Sequence, residues 1–119
     1  LNLGLELKNR NLLDDAIHHY RQALYIKPNY AEAYYNLGNA LSLKGDFKGA
    51  TTNYFNALKL TPGDVDTHYN LGYTLAKLWQ FDRAVYHYSE AIRLRPDFQK
   101  ARQELADLRR DIQKLKRKK

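Results

Sequence analysis

The chain has no cysteine and no methionine, and its 119 residues include only three prolines and six glycines. Without cysteine there is no disulfide framework, no thiolate zinc site and no cysteine nucleophile, a usage that fits a reducing compartment. No run approaches the roughly 18 consecutive apolar residues of a membrane span, and no charged-apolar-small signal peptide opens the sequence. These absences favour a soluble protein in an intracellular, cytoplasmic setting. A start at Leu1 without any Met reads as a trimmed fragment or as a chain given without its leader. The length allows one modest domain or a short repeat array and leaves no room for separate catalytic and regulatory domains.

Acidic charge is scarce at one end only. The net charge is +7, yet residues 1–99 carry 11 Lys and Arg against 10 Asp and Glu, whereas residues 100–119 carry 9 against 3. The basicity therefore belongs to the C-terminus, which ends in Lys116-Arg117-Lys118-Lys119. No aromatic residue lies beyond Phe98, so base stacking has no support there. The run reads as a solvated tail, with an anionic membrane or nucleic-acid backbone contact, or a nuclear-import signal, as the functional alternatives.

Catalytic signatures are missing as well: there is no HExxH, GxxxxGK[ST], GxSxG or GxGxxG. His18 and His19 are adjacent, so about 100° separates them on a helix and they cannot face one metal. His68 and His87 read as structural. Asp14-Asp15 reads as a favourable anionic pair in the first turn of a helix, not as a catalytic carboxylate pair. No cofactor, no metal and no enzymatic activity are expected.

A strict period is present. Pro28, Pro62 and Pro96 are 34 residues apart, and the same step links Gly4, Gly38 and Gly72, Leu3, Leu37 and Leu71, Ala16, Ala50 and Ala84, and Tyr20, Tyr54 and Tyr88. Within a period the apolar residues step by three and four, as in Leu37, Leu41 and then Ala50, Tyr54, Ala57, Leu58, with Gly45-Asp46 between the two runs. Each period therefore predicts two helices closed by a proline. Helices are expected near 1–9, 14–27, 31–44, 47–60, 65–78, 82–94 and 98–117, with Asp64 and Asp97 as N-caps. Each hairpin leaves an apolar face that the next one covers, which predicts an all-α, right-handed superhelical solenoid of antiparallel helix pairs.

Tyr34-x2-Leu37-Gly38-x2-Leu41, Ala50-x3-Tyr54, Ala57 and Pro62 resemble the tetratricopeptide repeat, as do His68-x2-Leu71-Gly72-x2-Leu75, Ala84-x3-Tyr88, Ala91 and Pro96. The resemblance divides the chain into a first repeat at 1–30 that lacks its opening residues, a second at 31–64, a third at 65–98, and a capping helix with a basic tail at 99–119. It implies a non-catalytic protein-protein interaction scaffold that binds a partner peptide or helix in a concave groove lined by the first helix of each repeat. The groove positions of the family fall here on Leu1, Asn2 and Leu5, on Glu32, Tyr35, Asn36 and Asn39, and on Asp66, Tyr69, Asn70 and Tyr73. Asn2, Asn36 and Asn70 form a ladder at one repeat position, and an Asn amide offers both a donor and an acceptor to an extended backbone. That ladder looks like the one in the tetratricopeptide arm of the O-linked N-acetylglucosamine transferases. Tyr35, Tyr69 and Tyr73 add rigid amphipathic surface, and Glu32 and Asp66 select against anionic ligands.

Repeats that clamp the EEVD tails of chaperones use Lys and Asn where this chain has Leu1 and Leu5, Asn at Asn36, and Lys and Arg where it has Asp66 and Asn70; only Asn36 agrees, so those tails are not expected as partners. Two alternatives stand beside the groove. An uncapped N-terminal edge with Leu3 and Leu7 suits end-to-end stacking into a homo-oligomer, and the basic tail suits an anionic partner. Two departures from the repeat are also visible. Trp79 stands where Gly45 turns the previous repeat, which implies a strained turn or an outward-packed ring. Lys48-Gly49-Ala50-Thr51-Thr52-Asn53 are poor helix formers within an expected helix, Gly49 alone costing about 1 kcal/mol relative to Ala. Amide hydrogen exchange is accordingly expected to be faster across 47–60 than in the flanking helices; uniformly slow exchange there contradicts a soft middle hairpin.

Overall fold

Prolines and left-handed turns set the helix ends. A computed structural model describes the backbone of residues 2–118 and the side chains of residues 9–118. It contains α1 (Asn2–Ile26), α2 (Ala31–Lys44), α3 (Phe47–Leu60), α4 (Val65–Lys77), α5 (Phe81–Leu94) and α6 (Gln99–Arg117), with no strand among the described residues. Before Pro62 and Pro96 the backbone leaves the helical region, at Thr61 (φ −134°) and Arg95 (φ −137°). Between α2 and α3, Gly45 adopts φ 93° and the Asp46 N–H donates back to the Leu41 carbonyl at 2.8 Å, a Schellman closure. Asp46 then caps α3 by accepting from the Gly49 N–H at 2.9 Å.

The chain forms two compact units, Leu1–Pro62 and Gly63–Lys119. In the first, α2 packs against both α1 and α3; in the second, α5 packs against both α4 and α6. The first core gathers Ile17, Ala33, Leu37, Leu41, Ala50, Tyr54 and Ala57, and the second Leu71, Leu75, Ala84, Tyr88, Ala91, Ala101, Leu105 and Leu108. Alanines and glycines bring the helices of each hairpin close enough for one tyrosine to fill the seam. A Cβ added to Gly38 would lie 2.6 Å from Tyr54 Cε1, and one added to Gly72 would lie 2.8 Å from Tyr88 Cδ1.

Three expectations are corrected. The first repeat was expected as two helices with a turn near residues 10–13, but α1 runs unbroken from Asn2 to Ile26. Asn11 and Leu12 stand 34 residues before Gly45 and Asp46, so neither the left-handed glycine nor the capping carboxylate is there to end the helix. Asp14 and Asp15 consequently lie in the middle of a helix rather than in its first turn, and Asp14 pairs with Lys44 at 2.6 Å. Finally, the N-cap of α6 is Phe98, not Asp97, and Asp64 accepts from the Thr67 hydroxyl rather than from a backbone N–H. The side chains of Leu3 and Leu7 lie outside the described residues.

His68 of α4 and His87 of α5 are both buried, at 6% and 7% exposure, with their Nδ1 atoms 3.0 Å apart and their rings stacked at 26°. A hydrogen bond between them requires one Nδ1 to donate and the other to accept. Burial first, then His68 and Arg83, hold His87 down at about 4, with Glu90 opposing them weakly.

Two predictions follow from this packing. Gly38→Ala and Gly72→Ala should each destabilise the protein by about 1–3 kcal/mol in urea unfolding, because overpacking against a buried ring exceeds the gain in helix propensity. Gly63→Ala, whose Cβ would meet nothing within 4 Å, serves as the neutral control. The second concerns pH. Below 6.5 the unfolded His87 takes up a proton that the folded one refuses until about 4, so its contribution to stability is lost as pH falls through that window. His68→Tyr/His87→Asn installs the residues that stand one period earlier, Tyr34 and Asn53, and its urea midpoint should fall less than the wild type's between pH 7 and pH 4.5.

Candidate functional site

On α2 the residues Ala33, Leu37, Gly38, Ala40 and Leu41 face the core. Glu32, Tyr35, Asn36 and Asn39 flank that stripe, Glu32 exposed and the other three half-buried. The Tyr35 ring lies 6.1 Å from that of Tyr54, and the Tyr54 hydroxyl donates to Asn39 Oδ1 at 2.5 Å. A residue expected to meet a partner thus also anchors the core tyrosine. Glu32 stands in the first turn of α2, where the helix dipole favours its charge.

In the second unit α4 repeats the arrangement with different chemistry. Tyr73 replaces Asn39 at the corresponding position and is 39% exposed, with the Lys77 ammonium 5.3 Å from its ring centre. Tyr69 packs on Tyr88 at 5.7 Å and on Phe98 at 5.0 Å, and Lys100 Nζ sits 5.8 Å from the Tyr69 ring centre. Asn70 is half-buried beside it. Asp66 pairs loosely with Arg95, at 3.8 Å between two exposed groups, a contact of little energetic weight. The Tyr69 phenol is pushed up, chiefly by burial and then by the charges of Glu104 and Tyr73, and Tyr88 is raised by burial first and then by Glu104, Tyr69 and Tyr73.

Glu104 was not among the expected site residues. It comes from α6, is half-buried, and with Tyr73, Tyr88, Asp107 and Asp111 lines a cavity of about 220 Å³. The signal was present in the sequence: one further step of 34 from Asn70 reaches Glu104, and from Tyr73 it reaches Asp107. Of the expected residues, Tyr35 and Asn39 are therefore joined through Tyr54, and Tyr69 and Tyr73 are joined around Tyr88 and Glu104. The side chain of Asn2 lies outside the described residues, as do Leu1 and the Leu5 side chain. Among the described residues no three His, Cys, Asp or Glu side chains are placed to hold a metal, and no helix is long and apolar enough to cross a membrane.

Family models for the TPR repeat match residues 4–45 and 38–78, and a model for the tetratricopeptide repeat matches 65–98. Among solved structures, one of MamA is 28% identical and superposes with a TM-score of 0.80 over 91% of this chain and 63% of its own. The O-GlcNAc transferase of Thermobaculum terrenum is 29% identical, with a TM-score of 0.76 over 87% of this chain and 20% of that one. The first tetratricopeptide domain of Spaghetti (RPAP3), bound to the HSP90 peptide SRMEEVD, shares the fold at a TM-score of 0.83 and 19% identity, over 93% of this chain and 88% of that one. The chain thus spans 63% of the first MamA chain and 59% of a second. No curated protein sequence matches it. With family models covering most of its length and the hairpin, glycine and tyrosine geometry they describe in place, the chain belongs to the tetratricopeptide repeat family, an all-α family of protein-protein interaction repeats.

Proposed function

We propose that the chain is a non-catalytic module whose repeats, divided at 1–30, 31–64, 65–98 and 99–119, bind extended partner segments, on the flank of α2 in the first unit and on the flank of α4, with Glu104 of α6, in the second. The observation that carries this reading is the aromatic-amide flank repeated at a 34-residue step: Tyr35 and Asn36 on α2, Tyr69 and Asn70 on α4, all half-buried. Tyrosines held against Tyr54, Tyr88 and Phe98 lose little conformational entropy on contact, and amides beside them supply the donor and acceptor that a peptide backbone needs.

Charge narrows the partner. Glu32, Asp66, Glu104, Asp107 and Asp111 all belong to these helices and disfavour an acidic segment. The HSP90 peptide in the Spaghetti domain ends in EEVD; in this chain the cations expected for such a tail are replaced by Leu1, Asp66 and Asn70, so that ligand is excluded from the proposal.

The test is selection from a displayed random-peptide library, followed by titration of the enriched peptides against wild type and Asn36→Ala/Asn70→Ala. Both proteins should show the same helical circular dichroism. The double variant should bind at least tenfold more weakly, since each lost amide hydrogen bond is worth about 1 kcal/mol. Equal affinity for the same peptides would show that the ladder is scaffolding.

A further inference from the structure

The turn between α4 and α5 holds a feature that the groove does not use. Trp79 adopts φ 61°, the only described residue other than glycine with positive φ, and its N–H donates to the Ala76 carbonyl at 3.0 Å while the Gln80 N–H returns to Leu75 at 2.9 Å. This is the Schellman closure that Gly45 makes in the first unit. A side chain in the left-handed region costs roughly 1–2 kcal/mol, which glycine avoids. The indole gives little back to folding, for it is 70% exposed and rests on Phe81 at 5.4 Å between ring centres. A strained, outward tryptophan at a position where glycine serves is an outlier that points toward contact with something else.

Its surroundings say what. Trp79, Phe81 and Ala76 form one side of a recess of about 410 Å³, and Leu115 from the last turns of α6, itself 37% exposed, forms the other. The rim carries Lys77, Lys114 and Lys118 against a single acid, Asp111. Lys114 and Lys118 are four apart on α6 and so project along one side of it. The turn at Gly45, by contrast, borders a cavity walled by Asp14, His18, Arg21, Lys44 and Asp46, with no aromatic and with the Asp14–Lys44 pair across it.

We infer that this recess is a second docking site, and that its occupant is an acidic segment of a partner protein that inserts one large apolar side chain between Trp79, Phe81 and Leu115 while its carboxylates meet Lys77, Lys114 and Lys118. Charge complementarity selects the acidic partner, and the apolar floor selects the anchor. The recess beside the exposed indole suits insertion of a single apolar side chain, and vesicles in the test below separate a membrane surface from a peptide. The basic C-terminal helix thereby acquires a role that its charge alone did not define, and the site uses neither Asn36 nor Asn70, although Lys77 and Asp111 also border the cavity that Glu104 lines.

Trp79 is the chain's one tryptophan, so intrinsic fluorescence reports the site directly. A displayed random 12-residue library would be selected on the wild type and counter-selected on Trp79→Gly, which keeps the turn by placing glycine as at Gly45. Enriched peptides should combine Asp or Glu with a Phe, Leu or Trp anchor, shift Trp79 emission to shorter wavelength, and bind at least tenfold more weakly to Lys114→Glu/Lys118→Glu and to Trp79→Gly of unchanged helical circular dichroism. Asn36→Ala/Asn70→Ala should bind them as the wild type does. The proposal is overturned if no peptide survives counter-selection, if the survivors lack acidic residues, or if phosphatidylserine vesicles shift the emission while the peptides do not.

Discussion

Each unit rests on a glycine laid flat against a tyrosine ring. Gly38 meets Tyr54 and Gly72 meets Tyr88 at distances where no Cβ fits, so the first helix of each hairpin approaches the second closely enough for Ala50 and Ala57, or Ala84 and Ala91, to close the seam. The ring then does two things. It fills the core with a large apolar body, and its polar end emerges on the flank where Tyr35 and Asn39, or Tyr69 and Tyr73, stand. Packing and recognition surface are therefore coupled: the residue that sets the helix spacing also orients the side chains beside it.

The two units put the same frame to different chemical use. Where the first ties its tyrosine hydroxyl to an amide, Asn39, the second presents Tyr73 and leaves Tyr88 lining a cavity with Glu104. Cations already sit over the aromatic faces of the second unit, Lys77 over Tyr73 and Lys100 over Tyr69. Such contacts at exposed sites are worth about 0.5–1 kcal/mol, weak enough for an incoming cationic or neutral group to displace. The carboxylates of α6 and the rings of α4 thus bias this flank against acidic ligands, while the far end of α6, with its lysines around Trp79, carries the opposite bias.

Much of this was legible from spacing. The 34-residue step marked Gly38 and Gly72, Tyr54 and Tyr88, and the prolines that end α3 and α5, because helix propensity and termination act over a few residues. The same step overreached at residues 10–13, where the period implied a turn but the local residues lacked the glycine and capping acid to make one, and α1 continued. The step continues into α6, where Glu104 takes the amide position with a charge. Trp79 announced its strain through its place in the repeat, yet nothing local told whether the ring would turn inward or out.

The sequence by itself determined α2 to α6, the pairing of α2 with α3 and of α4 with α5, and the family, since these follow from turn chemistry and from apolar residues recurring at one helical phase. Only the tertiary structure decided which side chains meet: His68 with His87, Asn39 with Tyr54, Glu104 with Tyr69 and Tyr88, and Trp79 with Leu115 across a hollow. These partners lie 15 to 36 residues apart on different helices. Their meeting depends on how closely and at what rotation two helices pack, which the glycine-tyrosine seam sets and no local propensity encodes.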